Sequence, residues 1–133
     1  MDRVENLLHT YGLEPKVENT DEIRKLLLEE LEIHNLEDHE YLKTLCIQLF
    51  AIGMVSDTLL IWNAKEKDFD THCYIDIQLL CGAGVEPTLK YLKEKSSSEA
   101  IKELNYIIEC EDDFVNFNKK EILDAYKKYY GIK

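Results

Sequence analysis

Apolar residues recur at the spacing of a helix face along nearly the whole chain, and that period excludes most folds before anything else is read. Val4, Leu7, Leu8 and Tyr11 stand at i, i+3, i+4 and i+7, positions that a 3.6-residue period lines up on one stripe. Ile23, Leu26, Leu27 and Leu31 repeat the pattern, as do Leu42, Leu45, Cys46, Leu49 and Phe50. Further on come Ala100, Ile101, Leu104, Ile107 and Ile108, then Ile122, Leu123, Tyr126, Tyr129 and Tyr130. Only 5 glycines and 2 prolines punctuate the 133 residues, too few for the turns of a many-stranded β fold. The expected fold is therefore all-α, a compact bundle or helical-hairpin stack of seven to eight helices, forming a single domain over residues 1–133.

Start and stop signals divide the stripes into helices. Gly12 with Pro15 beyond it ends the first. Thr20 reads as the N-cap of the second, with Asp21 and Glu22 favourable in its first turn and an end near His34-Asn35. Asp38 caps a third helix, apolar on most sides and closed by Gly53; Ser56 or Asp57 starts a fourth that turns polar at Lys65-Glu66-Lys67-Asp68. One continuous helix from Asp38 to Lys67 is the alternative. The run from Cys73 to Cys81 is apolar nearly all round, and with no partner strand in view it reads as a central helix from Asp70 or Thr71 to Gly82. Pro87 suits a first turn, Ser98 caps the next helix, and Asn118 with Glu121 opens a last one closed by Gly131. Helix starts near residues 21, 39, 57, 71, 86 and 98 suit stacked hairpins, although no segment repeats another's residues and the tetratricopeptide and ankyrin signatures are absent.

Charge narrows the partners. The chain has 27 acidic and 16 basic residues, a net charge of −11, and such a field repels phosphate backbones and anionic lipid, so neither nucleic acid nor a membrane is expected. Residues 1–45 hold 12 acids against 5 bases, whereas Lys119 to Lys133 holds 5 lysines against Glu121 and Asp124. The opening Met1-Asp2-Arg3-Val4-Glu5-Asn6 is too charged for a signal peptide, and no apolar run approaches the roughly 20 residues of a membrane span. The expected location is the cytoplasm. Cys46, Cys73, Cys81 and Cys110 lie in apolar helical patterns and are expected to be reduced, Cys73 as part of the core.

The chemistry-bearing residues are few. His34 and His39 stand among Glu30, Glu37, Asp38 and Glu40, but five apart they miss the i, i+3 or i+4 spacing of ligands on one helix face, so no metal and no cofactor are expected. His72 and Cys73 are adjacent, about 100° apart around a helix, and cannot pair as base and nucleophile. Gly82-Ala83-Gly84 lacks the third glycine and the lysine of nucleotide loops and reads as a turn. Asp76 interrupts the most apolar segment and is expected to be a buried polar pin with a satisfied carboxylate. Trp62 to Asp70 either packs Trp62 and Phe69 on the core at a solvated helix end or forms a contact patch of aromatics framed by charge. Tyr126, Tyr129 and Tyr130 keep helical spacing and read as packing.

The expectation for function is a small acidic, non-catalytic domain that binds another protein through a charged surface. An immunity or antitoxin-type inhibitor of a basic protein is one physical precedent, because an acidic mask docks quickly on a basic site. The expected interaction patch is Glu29, Glu30, Glu37, Trp62, Lys65, Asp68 and Asp70. The rival readings are a small hydrolase or transferase built around Asp76, His72, Asp68 and Asp70, and a structural subunit of a homo-oligomer.

Overall fold

The computed structural model describes residues 2–132; Lys133, the last of the tail lysines, lies outside them. Among the described residues there are eight α-helices and no strand: α1 (Arg3–Tyr11), α2 (Thr20–Leu31), α3 (His39–Ile52), α4 (Thr58–Lys65), α5 (Phe69–Tyr74), α6 (Val85–Lys95), α7 (Ser98–Glu109) and α8 (Lys119–Tyr130). Short 3-10 turns cover Val17–Asn19, Val55–Asp57, Ile77–Cys81 and Glu111–Phe114. No helix among these residues is long and apolar enough to cross a membrane. The all-α expectation holds.

The axis of the fold is α3. Every residue from Leu42 to Phe50 except Lys43 is buried, as its broad apolar face requires, and α1, α2, α4, α5 and the Ile77–Cys81 turn all pack against it. α7 lies on α6 and α4. Gly53 closes α3 in the left-handed region at φ 82, its amide 3.0 Å from the Leu49 carbonyl, a conformation that favours glycine. Gly82 is required for a different reason. A Cβ there would stand 2.6 Å from the Phe50 carbonyl oxygen, so the Ile77–Cys81 turn could not approach α3 with any larger residue.

Several boundaries differ from expectation, each for a visible reason. The Val17–Asn19 turn leads directly into α2, so Thr20 is its first residue and Asn19 its cap. α2 ends at Leu31, short of His34-Asn35, because the Lys67 ammonium bonds the Leu31 carbonyl at 2.7 Å and stops the ladder there. Gly53 and the Val55–Asp57 turn separate α3 from α4, which excludes one helix from Asp38 to Lys67. Ser97 caps α7, one residue before Ser98. The face of α7 is also rotated from the expected stripe: Ala100, Glu103 and Ile107 are buried, while Ile101 and Ile108 are exposed.

The largest correction concerns residues 71–81. The expected central helix is two pieces, α5 and the Ile77–Cys81 turn, joined through extended backbone at Ile75 and Asp76. The buried Lys65 ammonium donates to the carbonyls of His72 and Ile75, each at 2.5 Å. A helix continuing through Ile75 would need its carbonyl inside the helical ladder. A cation at the end of α5 satisfies it instead, in the place a helix dipole favours positive charge.

Candidate functional site

α5 begins at a cleft. Asp68 caps it, its Oδ1 accepting from the Thr71 amide at 2.8 Å while the Thr71 hydroxyl accepts from the Asp68 amide at 3.0 Å. This reciprocal box holds the Asp68 backbone and leaves Oδ2 out of the cap. Asp70, in the first turn, is exposed. Across from them α3 starts at His39, capped by Asp38 through the Tyr41 amide at 3.1 Å. Glu37, Asp38, His39, Glu40, Asp70, Cys73 and Tyr74 line a cleft of about 480 Å³ between the two helix starts.

The carboxylates there are not equivalent. The second oxygen of Asp38 faces Arg3 at 3.4 Å, and Glu40 accepts from the Tyr74 hydroxyl. That contact and burial push the Tyr74 phenol upward, burial first. His39, Asp68 and Asp70 present ligand atoms that all lie within 4.8 Å of one another, with His39 Nε2 3.9 Å from Asp68 Oδ2. Beside them Phe69 is 79% exposed, not packed on the core as one reading of this stretch expected.

The expected interaction patch comes apart. Glu29, Glu37, Asp68 and Asp70 are exposed. Glu30 is 3% exposed and takes two bonds from Arg3, at 2.6 and 3.1 Å, while the guanidinium stacks 3.7 Å over the Tyr41 ring. Trp62 is core, its indole donating to Glu99 at 3.2 Å and its ring 5.4 Å from that of Tyr106. Lys65 is buried on the end of α5. These three residues hold the fold and present nothing to a partner.

The rival catalytic group is also dispersed. His72 turns away from Asp68, Asp70 and Asp76, with Nδ1 2.6 Å from Glu66 and Nε2 3.4 Å from the Tyr106 hydroxyl. Asp76 is no buried pin. Because the backbone breaks there, its side chain is 46% exposed, held by the Tyr126 hydroxyl and by Lys43 at 3.4 Å. Burial, followed by that hydrogen bond, pushes the Tyr126 phenol upward. Cys73 is exposed, contrary to the expectation of a core residue, whereas Cys46 and Cys81 are buried and all four cysteines are free.

Two groups escaped the sequence reading. The sequence neighbours of His39 do not converge on it, whereas Asp68 and Asp70, about thirty residues away, are brought near by the packing of α5 on α3. Glu103 is fully buried, its Oε2 bonded by Thr58 and its Oε1 without a partner among the described residues. Its signal was available: with Ala100 and Ile107 it forms an i, i+3, i+7 set. Burial pushes its carboxyl up to about 8, so at neutral pH it is largely protonated.

No family model matches the chain, and no curated protein or solved structure matches it either.

Proposed function

We propose that this chain is a cytoplasmic, non-catalytic recognition domain that binds a basic surface of another protein, as an immunity protein or antitoxin masks a basic nuclease. The observation that supports it is the exposed Phe69, flanked in the chain by the exposed acids Asp68 and Asp70, the second of which lines a cleft together with Glu37 and Glu40. An exposed apolar side chain with carboxylates on either side of it in the chain suits a partner that offers lysine or arginine near an apolar pocket. The catalytic alternative is weaker because His72 and Asp76 face other partners. Glu30 is excluded from the recognition surface, since Arg3 already neutralises it.

The test replaces Glu29, Glu37 and Asp70 together by lysine, and separately makes Phe69→Ala. A partner captured from lysate by the wild-type chain and then purified should associate several-fold more slowly with the triple variant at low ionic strength. The difference should shrink near 1 M salt, where the Debye length is about 3 Å. Phe69→Ala should raise the dissociation rate instead. A purified partner whose kinetics ignore both changes and the salt refutes the reading.

A further inference from the structure

Within the cleft one donor does not suit a purely electrostatic site. Nε2 of His39 is buried and has no hydrogen-bond partner among the described residues, although the side chain as a whole is 24% exposed. A buried imidazole nitrogen without a partner is costly unless something occupies its lone pair or takes its proton. Its nearest acidic atom, Asp68 Oδ2, is 3.9 Å away, beyond hydrogen-bond reach. Asp70 Oδ completes the group within 4.8 Å, and Asp70 has no ion pair among the described residues. One nitrogen and two carboxylate oxygens, contributed by two helix starts, therefore converge without bonding one another.

We propose that His39, Asp68 and Asp70 form a binding site for a divalent transition-metal ion, with zinc as its expected occupant. Donor chemistry selects the ion. Carboxylates alone would take any cation, including a partner's lysine or a calcium ion, but a neutral imidazole nitrogen favours zinc and its neighbours in the first transition row over the oxygen-seeking magnesium and calcium. The spacing is open by a correctable amount. Ligands about 2.0 Å from a tetrahedral zinc stand about 3.3 Å apart, and rotation of the solvent-facing Asp70 side chain with a small tilt of the Asp68 carboxylate about its capping Oδ1 closes the gap. Helix starts set the backbones of His39, the first residue of α3, and of Asp68, the N-cap of α5, so only side-chain torsions need adjust when metal arrives. A fourth ligand would have to come from solvent or from Glu37, which lines the same cleft.

This inference requires no protein partner and is tested without one. Purified full-length chain is titrated calorimetrically with zinc chloride in a Cys73→Ser background, because that exposed thiol lines the same cleft and would bind zinc itself. One zinc per chain is expected. His39→Ala, Asp70→Asn and Asp68→Asn should each weaken it by about tenfold or more. Asn caps a helix as well as Asp, so Asp68→Asn removes a ligand charge while α5 stays capped, and circular dichroism confirms the helix content of each variant. Cobalt(II) bound to the Cys73→Ser chain should show d–d absorption that His39→Ala weakens, and millimolar calcium should leave zinc binding unchanged. The proposal is overturned if His39→Ala binds zinc as tightly as its parent, if Cys73→Ser alone abolishes binding, if calcium competes as an equal, or if no zinc binds at micromolar concentration.

Discussion

The ammonium of Lys65 lies 2.5 Å from the carbonyl oxygen of Ile75, and that contact decides where α5 stops. The same nitrogen reaches His72 O, while the Thr71 hydroxyl donates to the Lys65 carbonyl at 3.0 Å. α4 and α5 are thereby tied at both ends of one residue. Burial lowers the Lys65 pKa, and the charge of Asp76 partly opposes that shift.

Lys65→Met keeps the length of the apolar stem and removes the donor, leaving two carbonyls without their cation. The expected cost is on the order of 1–3 kcal/mol, read as a lower urea midpoint at unchanged slope. Because the contact fixes the backbone at the break, amide exchange should quicken at Ile75 and Asp76 before it changes in α3. Equal stability of the two proteins would show that water serves these carbonyls as well as Lys65 does.

Asp76 is half-exposed between Tyr126 and Lys43, and the consequence is a modest effect. Asp76→Ala should cost about 1 kcal/mol, the worth of one hydrogen bond in partial contact with water. A double-mutant cycle with Tyr126→Phe should return a coupling of roughly 0.5–1 kcal/mol. A loss several times larger would mean that the carboxylate is more enclosed than its geometry implies.

The fold class was legible in the sequence because period and caps are local properties. Asp38, Asn118, Gly53 and Gly131 serve as caps where their residue types predict. What could not be read came from contacts distant in sequence. Nothing around residue 75 reveals that a lysine ten positions earlier would take up its carbonyl, so the apolar run looked like one helix and Asp76 like its buried interruption. Local charge and aromatic content place Trp62, Glu30 and Lys65 at a surface, and tertiary neighbours bury each of them. His39 moved the opposite way, from an unpromising sequence neighbourhood into the only described group of histidine with acids whose ligand atoms converge.

Exposure separates the four cysteines and predicts their order of reaction. Burial pushes the Cys46 and Cys81 thiols up to about 12, and thiolate is the reactive form. Cys73 is exposed and Cys110 half-buried. A disulfide-exchange reagent added to the native chain should therefore label Cys73 first, Cys110 more slowly, and Cys46 and Cys81 only on unfolding. Peptide mapping after short exposure checks this, and prompt labelling of Cys46 would contradict the packing of α3.

Glu103 makes stability depend on pH in a direction opposite to that of most carboxylates. Burial raises its folded value from 4.5 to about 8, with the Thr58 hydrogen bond opposing part of the shift. Between those values the folded state holds a proton that the unfolded chain has released. Stability from this group is therefore fully present below about pH 4.5 and is lost as pH rises towards about 8. The expected measurement is a melting temperature that falls across that window by more in the wild type than in Glu103→Gln, whose amide fills the same space and never ionises. At about pH 8.5 the variant should be the more stable of the two, because the wild type must then bury a charge whose Oε1 has no donor among the described residues. Only well below the unfolded value of 4.5 are both side chains neutral in the folded and the unfolded chain, and there the ranking depends on whether the amide finds an acceptor beside Thr58. The difference between the two pH profiles isolates Glu103 from every other titrating group, since all the others are common to both proteins. Parallel profiles would show that Glu103 ionises freely in the folded chain, and its place in the interior of α7 would have to be wrong.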